Sequence, residues 1–287
     1  MDFEMFTQLF DQVEKITGKY VTDISSNAIA VATPLVSVGL TISFIIYGWL
    51  IMRGAIDMPL SGFVNRCLRV SIITSIALTA GLYQTKIVDL IITMPQDLLN
   101  ALMENPQDQN QLKTLVDKAA EEGFMRAAEA FEEAAFLNAD GLLFGIFGIL
   151  ILIVTSCLVA TSGAFILLAK IALPLLIGLG PFFIIALLWQ PTYRFFEQWI
   201  AQLLSYIILT VLITTVSSFM LNIFVHYMEQ LAFDGQQNIS HALGGSCILS
   251  IISIVLLLKL SNIASALAKG ITFGHLWTLD ARNRAAK

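Results

Sequence analysis

Long uncharged apolar stretches are the dominant pattern along this sequence. A helix needs about 20 apolar residues to cross the hydrocarbon core of a bilayer, and its backbone polar groups must be satisfied within the helix. The stretch between Arg69 and Lys86 is shorter, and it makes a short span when Cys67 and Leu68, just before Arg69, are counted with it. Together with five longer stretches, it predicts an all-α, polytopic helical membrane protein with six apolar segments. The longer stretches are Ile24 to Met52, Gly141 to Ala169, Ile171 to Tyr193, Gln198 to Met228 and Gly235 to Leu258.

The composition agrees with the membrane pattern and excludes an ordinary soluble enzyme. Apolar residues make up 57% of the chain, charged residues only 13%, and mean hydropathy is +0.79, whereas soluble domains carry about 25% charged residues. Charges replace the apolar core of a secretory signal before Asp23, so the first span is expected to act as an uncleaved signal. The three cysteines lie singly in separate apolar segments, which predicts neither a disulfide framework nor a zinc site.

The N-terminal segment is amphipathic. Phe3, Phe6, Phe10, Val13 and Ile16 recur at spacings of three and four, so they share one face of a helix. This face is expected either to lie on the membrane surface or against the chain's own spans, or to dock on a partner.

The segment from Lys86 to Asp140 is strongly acidic, with eleven acids against four bases. A nucleic-acid-binding loop would be basic instead. Apolar residues including Leu112, Phe124 and Phe131 form a helical stripe, and the chain breaks at Asn105 to Asp108, which predicts a helical hairpin. A solvated helix packed on its own chain and a partner-binding surface both remain open.

Basic residues near the span ends set the expected orientation. Arg53, Arg66 and Arg69 crowd the first connection and predict that it is cytoplasmic, as does the basic tail, so the N-terminus and the acidic loop lie outside. This arrangement requires an odd number of crossings. We therefore expect five full spans and one re-entrant or sixth apolar segment, with Gly141 to Gly163 as the segment that does not cross.

These boundaries divide the chain into five parts. They are an amphipathic periplasmic segment (1–27), two spans (28–85), an acidic helical periplasmic loop (86–140), a C-terminal membrane domain (141–258) and a basic cytoplasmic tail (259–287).

Lys170 is the only charged residue deep within an apolar run, and intramembrane charges are functional candidates by default. Its ammonium group can also snorkel to the headgroups. Pro174 and Pro181 interrupt the helix that follows, as in transporter sites or in ordinary kinks. Small residues on one face of the preceding segment allow close packing, either within the chain or between copies. They are Gly141, Gly145 and Gly148.

The sequence contains no complete enzyme motif. Ser162 with His241 or His275 superficially resembles an intramembrane serine protease, but Ala160 stands where a glycine is expected two residues before the serine. No metal-ligand spacing, Walker motif or dinucleotide fingerprint occurs. We predict no catalytic residue, no cofactor and no metal site.

Three short stretches carry a family resemblance. They are Lys170 to Pro174, Gly180 to Ile184 and Pro191 to Ile200, the last reading Pro-Thr-Tyr-Arg-Phe-Phe-Glu-Gln-Trp-Ile. In these stretches, and in its plan of spans around a large loop, the chain resembles the TrbL-type inner-membrane subunits of bacterial type IV secretion and conjugation systems. The resemblance covers most of the chain and marks Trp199 as the signature tryptophan. Physically, Trp199 and Tyr193 beside Arg194 are also candidate interface anchors. Arg194 and Phe195 are further candidate functional residues.

The resemblance implies a non-enzymatic platform or channel subunit that assists DNA or protein transfer and pilus assembly. The implied partners are a minor pilus subunit, bitopic periplasmic assembly factors and, indirectly, cytoplasmic ATPases, together with further copies of the chain and transient DNA substrate. Eight aromatic and small residues are candidates for these contacts, and a secondary transporter or a non-conducting scaffold remains the alternative function. The contact candidates are Phe3, Phe6, Phe10, Phe124, Phe131, Gly141, Gly145 and Gly148.

Overall fold

A computed structural model describes residues 3–55, 59–102, 109–134, 139–231 and 239–269, which form helices with no β-strand among them. A π-helical turn, Tyr83–Val88, precedes α4, and two 3₁₀ turns, Ala186–Leu188 and Gln190–Thr192, precede α8. The α-helices are α1 (Met5–Met52), α2 (Pro59–Leu78), α3 (Ala80–Leu82), α4 (Asp89–Leu102), α5 (Gln109–Ala134), α6 (Ala139–Gly178), α7 (Gly180–Ile185), α8 (Tyr193–Glu229) and α9 (Ile239–Lys269).

Four helical stretches within these ranges are long and apolar enough to cross a membrane: Met5–Met52, Leu142–Gly178, Gln190–Glu229 and Gly244–Ala268. A fifth span results if Gly62–Leu78 and Tyr83–Ala101, which meet at a 73° bend, are counted as one broken span. The chain is therefore a multi-pass membrane protein, and the part of it that the structure describes contains four or five candidate crossings. The predicted five full spans are reached only on the second count.

Helix α6 corrects one expectation. Gly141 to Gly163 does not form a separate re-entrant segment, because α6 runs without interruption from Ala139 to Gly178. Lysine is a good helix former, so the lone charge at Lys170 does not end the helix. At 1.5 Å per residue, α6 is about 60 Å long, roughly twice the thickness of the hydrocarbon core.

Helix α1 is also longer than the sequence pattern indicated. It contains 48 residues and continues from the amphipathic N-terminus into the first apolar stretch without a boundary near residue 27. The amphipathic segment and the first span are therefore one helix.

The chain divides into two compact units. The first contains Met1–Lys15, Pro95–Ile171 and Tyr206–Ala266, and the second contains Ile16–Met94, Ala172–Ser205 and Leu267–Lys287. The long helices contribute different parts to each unit.

The core of the first unit covers the apolar stripe of the acidic segment. Leu112 and Val116 of α5 are buried with Leu158, Ile213 and Phe224 of the spans. The prediction that this acidic segment is helical is confirmed, and its stripe packs on the same chain. The predicted turn at Asn105 to Asp108 lies outside the described residues.

Candidate functional site

The helix break between α6 and α7 lies in the second unit and creates a specific backbone problem. Pro181 has no N–H group, so the carbonyl of Ile177, four residues earlier, has no helical donor. An unsatisfied carbonyl at membrane depth costs several kcal/mol, and a broken helix is tolerated only where other groups replace the missing bond.

Two aromatic side chains supply donors at this break. The hydroxyl of Tyr83 donates to the carbonyl of Ile177. The indole Nε1–H of Trp199 donates to the neighbouring carbonyl of Leu176 at 2.9 Å. Both rings are buried, with Trp199 only 4% exposed. We refer to Tyr83, Trp199, Gly180 and Pro181 as the helix-break cap.

Packing fixes the geometry of the helix-break cap. The Trp199 ring stacks on Phe183 with centroids 5.9 Å apart and planes 9° from parallel, and Phe196 flanks it at 5.8 Å. A Cβ atom on Gly180 would collide with the Tyr83 hydroxyl and would lie 3.0 Å from Cζ2 of Trp199. Glycine is therefore required for both donors to approach the backbone.

The sequence singled out Trp199 and Pro181, and the structure brings them together. Trp199 is a buried donor, which corrects its interpretation as an interface anchor. Phe195 is 56% exposed and Arg194 is also exposed, so both lie outside the helix-break cap. Pro174 is half-buried within α6, and the helix continues through it.

Tyr83 had no predicted role. Its only signal in the sequence is a hydroxyl-bearing aromatic residue at the end of a short apolar segment, which does not identify the carbonyl that it serves. The partner lies 94 positions away along the chain.

A second polar site lies in the first unit. Lys170 Nζ contacts Glu14 Oε2 at 2.9 Å, and Lys113 Nζ contacts the same oxygen at 3.1 Å and Asp11 Oδ1 at 2.6 Å. The side chains of Lys113 and Lys170 are only 6% and 11% exposed. We call Asp11, Glu14, Lys113 and Lys170 the Glu14 ion cluster.

The Glu14 ion cluster explains how a lysine persists in an apolar run. Removing an ammonium group from water is costly unless it is paired, and Glu14 supplies the counter-charge from another helix. Lys170 is therefore held within the chain, which replaces the snorkelling interpretation.

Lys113 remains charged at neutral pH. Burial by itself would lower the pKa of Lys113, but the hydrogen bonds and charges of Asp11 and Glu14 outweigh burial and raise that pKa above its ordinary value.

Asp117 attaches the start of α1 to α5. Its two carboxylate oxygens accept the backbone N–H groups of Phe6 and Thr7, each at 2.8 Å. The first N–H groups of a helix have no partner within the helix and carry its positive dipole end, so a carboxylate is well suited to them. Asp117 itself is buried.

The aromatic residues predicted as partner contacts pack mainly within the chain. Phe3 meets Phe124 edge-on at 5.6 Å between centroids, and Phe10 is buried in the core. The ring of Phe6 lies where a Cβ on Gly163 would be, at 2.6 Å from Cε1. The three phenylalanines of the amphipathic face of α1 thus pack on the same chain, which favours self-packing over docking there, whereas Ile16 on the same face is exposed.

The predicted glycine stripe is also occupied within the chain. A Cβ on Gly148 would lie 2.9 Å from the Phe131 ring, and one on Gly145 would lie 3.6 Å from Ala134. These two glycines allow α5 to approach α6. Gly141 belongs to α6, but its surroundings lie outside the described residues.

Comparison with known families decides the relationship. The model of the TrbL/VirB6 plasmid conjugal transfer protein family matches residues 40–260. The chain belongs to this family. The resemblance drawn from the sequence is therefore confirmed.

Individual relatives carry the same family description. The type IV secretion system proteins VirB6 of Bartonella quintana and Bartonella henselae are each 28% identical to this chain over 252 residues, which cover 87% of the chain and 74% of each relative. VirB6 of Brucella abortus is 28% identical over 207 residues, or 70% of the chain and 59% of that relative.

The family match includes the helix-break cap and half of the Glu14 ion cluster. Tyr83, Trp199, Lys113 and Lys170 all lie within residues 40–260. Asp11 and Glu14 precede the matched region, so the cluster joins family residues to the N-terminal part of α1.

Proposed function

We propose that this chain is a non-enzymatic platform subunit of a type IV secretion system in the bacterial inner membrane. In this role it assists the transfer of DNA or protein substrates and the assembly of the pilus. The observation that carries the proposal is the family match over residues 40–260, which contains α5 and the helices α6 and α8 that pack on its buried stripe. The proposed functional site is a surface of α5, which is held on the membrane helices, rather than a catalytic centre.

Helix α5 is the proposed platform. It is fixed by its buried stripe, by Asp117 at the start of α1 and by Lys113 in the Glu14 ion cluster. These contacts occupy one face of α5 and leave the other face accessible. The accessible face carries Glu121, Met125, Glu132 and Glu133, which combine negative charge with apolar area.

Such a mixed surface suits protein partners better than nucleic acid. Phosphates would be repelled by the acids, whereas protein interfaces combine apolar anchors with charged rims. We therefore assign this face to the minor pilus subunit and the bitopic assembly factors. Contacts with the cytoplasmic ATPases are indirect, and DNA is a transient substrate of the assembled system.

The proposed orientation places the N-terminus and α5 in the periplasm and the basic tail in the cytoplasm. Arg53, Arg66 and Arg69 support this orientation because basic residues near span ends favour the cytoplasmic side. The guanidinium of Arg53 lies 3.9 Å from the ring centroid of Trp49, a pairing typical of an interfacial belt.

Association of several copies belongs to the same proposal. Gly145 and Gly148 do not support it, because α5 occupies them. A ring of copies would instead use the accessible face of α5 or the exposed apolar sides of the spans.

The platform is tested by neutralising its accessible face. Replacing Glu121, Glu132 and Glu133 together by Gln removes three negative charges and leaves the buried stripe intact. We expect lower substrate transfer at an unchanged protein level, with Glu4→Gln on an exposed residue of the N-terminal segment as the control. Normal transfer by the triple variant would reject α5 as the platform.

Orientation is tested separately by labelling. A membrane-impermeant thiol reagent applied to intact spheroplasts should label Glu121→Cys in a background without the three native cysteines. Labelling of Glu121→Cys only after the membrane is opened would contradict the proposed orientation.

A further inference from the structure

A polar cavity of about 480 Å³ lies within the second unit. Two arginines, an asparagine and a serine face it together with apolar side chains and an indole ring. Its size falls within the range of sites that hold small molecules or lipid headgroups. The lining residues are Leu40, Ser43, Asn65, Arg66, Arg69, Val70, Leu188, Trp189, Gln190 and Pro191.

Contacts with the unit hold both arginines at the cavity. Nη2 of Arg66 donates to Oγ of Ser43 at 2.6 Å, and its guanidinium lies 5.4 Å from the ring centroid of Tyr47. Nη2 of Arg69 donates to the carbonyl of Leu187 at 3.3 Å. A guanidinium has five N–H donors, so these hydrogen bonds position each group while leaving Arg66 further donors for a ligand.

The cavity reaches from the arginine-rich first connection into the first apolar stretch. Ser43 and Leu40 precede Arg53 on α1 by 10 and 13 residues, which corresponds to about 15 to 20 Å along the helix. They lie within the uncharged stretch that follows Ile24. Arg66 of α2 reaches this stretch through its hydrogen bond to Ser43, and ionisable groups beside apolar spans generally line a wet cavity or bind a ligand.

We propose that this cavity binds the phosphate of an anionic phospholipid headgroup. Arginine suits this ligand because its planar fork can donate two parallel hydrogen bonds to phosphate oxygens. Basic pockets between membrane helices bind anionic headgroups by the same chemistry. Leu40, Val70 and Leu188 offer apolar surface to the glycerol and the first acyl carbons, and Trp189 offers an amphipathic ring.

One wall of the cavity contains Trp189, which packs tightly against α1. A Cβ on Gly39 would lie 2.5 Å from Cζ2 of Trp189, so the indole packs directly against the backbone of α1. The lipid site therefore has a fixed apolar wall where Trp189 packs on Gly39. This inference goes beyond the proposed secretion function and requires only that the chain spans a membrane.

The test measures lipid selection by the full-length protein. The detergent-purified chain is stripped of lipid and titrated with phosphatidylglycerol or phosphatidylethanolamine, and bound lipid is counted by native mass spectrometry. We expect wild-type protein to prefer phosphatidylglycerol and Arg66→Gln with Arg69→Gln to lose roughly tenfold in apparent affinity for it, as expected for charge-assisted hydrogen bonds. Equal binding of the two lipids by wild-type protein would overturn the proposal.

A matched variant separates the cavity from general positive charge. Arg53→Gln removes one charge near the same end of α1, but Arg53 stands over Trp49 outside the cavity. We expect Arg53→Gln to retain the lipid preference. A loss equal to that of the double variant would overturn the site. Arg66→Lys with Arg69→Lys keeps the charges without the fork and should give an intermediate loss even if the Gln variant unfolds.

Competition distinguishes a lipid headgroup from other phosphates. Inorganic phosphate and a single-stranded oligonucleotide are each added to the protein loaded with phosphatidylglycerol. We expect that neither inorganic phosphate nor the oligonucleotide displaces the lipid at concentrations too low to weaken charge interactions by general salt screening. Displacement by phosphate would indicate a free-anion site, displacement by the oligonucleotide would indicate nucleic-acid binding, and either result would overturn the lipid assignment.

Discussion

The hydroxyl of Tyr83 donates a hydrogen bond to the carbonyl of Ile177, which Pro181 leaves without a helical donor. Trp199 serves the adjacent carbonyl of Leu176. The break between α6 and α7 is thus stabilised by side chains from two other parts of the second unit. A break that depends on distant donors can persist only while those elements stay packed together.

Removing the Tyr83 hydroxyl should destabilise the protein. Tyr83→Phe leaves the buried carbonyl of Ile177 without a donor, and such a loss costs about 1–3 kcal/mol. We expect a lower midpoint of thermal unfolding in detergent. Tyr20→Phe, on an exposed tyrosine of α1, is the matched control and should leave the midpoint unchanged.

A double-mutant cycle links this cost to Pro181. Pro181→Ala restores an N–H group four residues after Ile177, so the carbonyl regains a helical donor. The effect of Tyr83→Phe should therefore be smaller in the Pro181→Ala background. Equal effects in both backgrounds would show that the hydroxyl does not compensate for the proline.

Trp199 should contribute through its N–H group as well as its ring. Trp199→Phe retains an aromatic surface against Phe183 but removes the donor to Leu176. We expect a loss of about 1–3 kcal/mol in unfolding free energy. Trp49→Phe, at an exposed position, provides the comparison. Equal, small effects of the two substitutions would contradict a role for the indole donor.

Asp117 should control whether the start of α1 stays attached to α5. Asp117→Asn removes the negative charge that faces two backbone N–H groups at the helix N-terminus, a change worth about 1 kcal/mol. Hydrogen–deuterium exchange at Phe6 and Thr7 should accelerate. Glu121→Gln, which removes an exposed acid of the same helix, should not change that exchange. Unchanged protection in Asp117→Asn would refute the attachment.

The ion pairs of Lys113 should weaken only in alkali. A base whose folded pKa is raised adds stability below its ordinary value of 10.5, and this stability is lost as the pH rises through the folded pKa. The difference in unfolding free energy between wild-type protein and Lys113→Met should be constant from about pH 7 to 10 and decrease above that range. A difference that decreases before pH 9 would contradict the raised pKa.

Local patterns predicted the helices but not their contacts. The spacing of Leu112, Phe124 and Phe131 correctly indicated a helix. Of the two prolines expected to interrupt the helix, Pro181 stands at a break and Pro174 does not. The pairing of Lys170 with Glu14 was not predicted, because the two residues are 156 positions apart in the sequence. Sequence periodicity reports which face of a helix is apolar, whereas the residue that pairs with a buried charge is determined by tertiary packing.

The same limit applies to the arginines of the first connection. Their clustering near span ends indicated orientation, which is an average property of a loop. Their convergence on a cavity with Trp189 depends on α1, α2 and the turns before α8 meeting in space. Nothing in the local sequence of Arg66 or Arg69 specifies that meeting.

Substrate transfer is the measurement that tests the secretion role most directly. The gene for this chain is deleted in a host that carries the complete secretion system, and DNA transfer and pilus formation are scored with and without the wild-type chain supplied from a plasmid. The proposed function predicts that both activities disappear on deletion and return with the chain, while the other subunits stay at normal levels. Transfer and pilus formation that persist after deletion would contradict it.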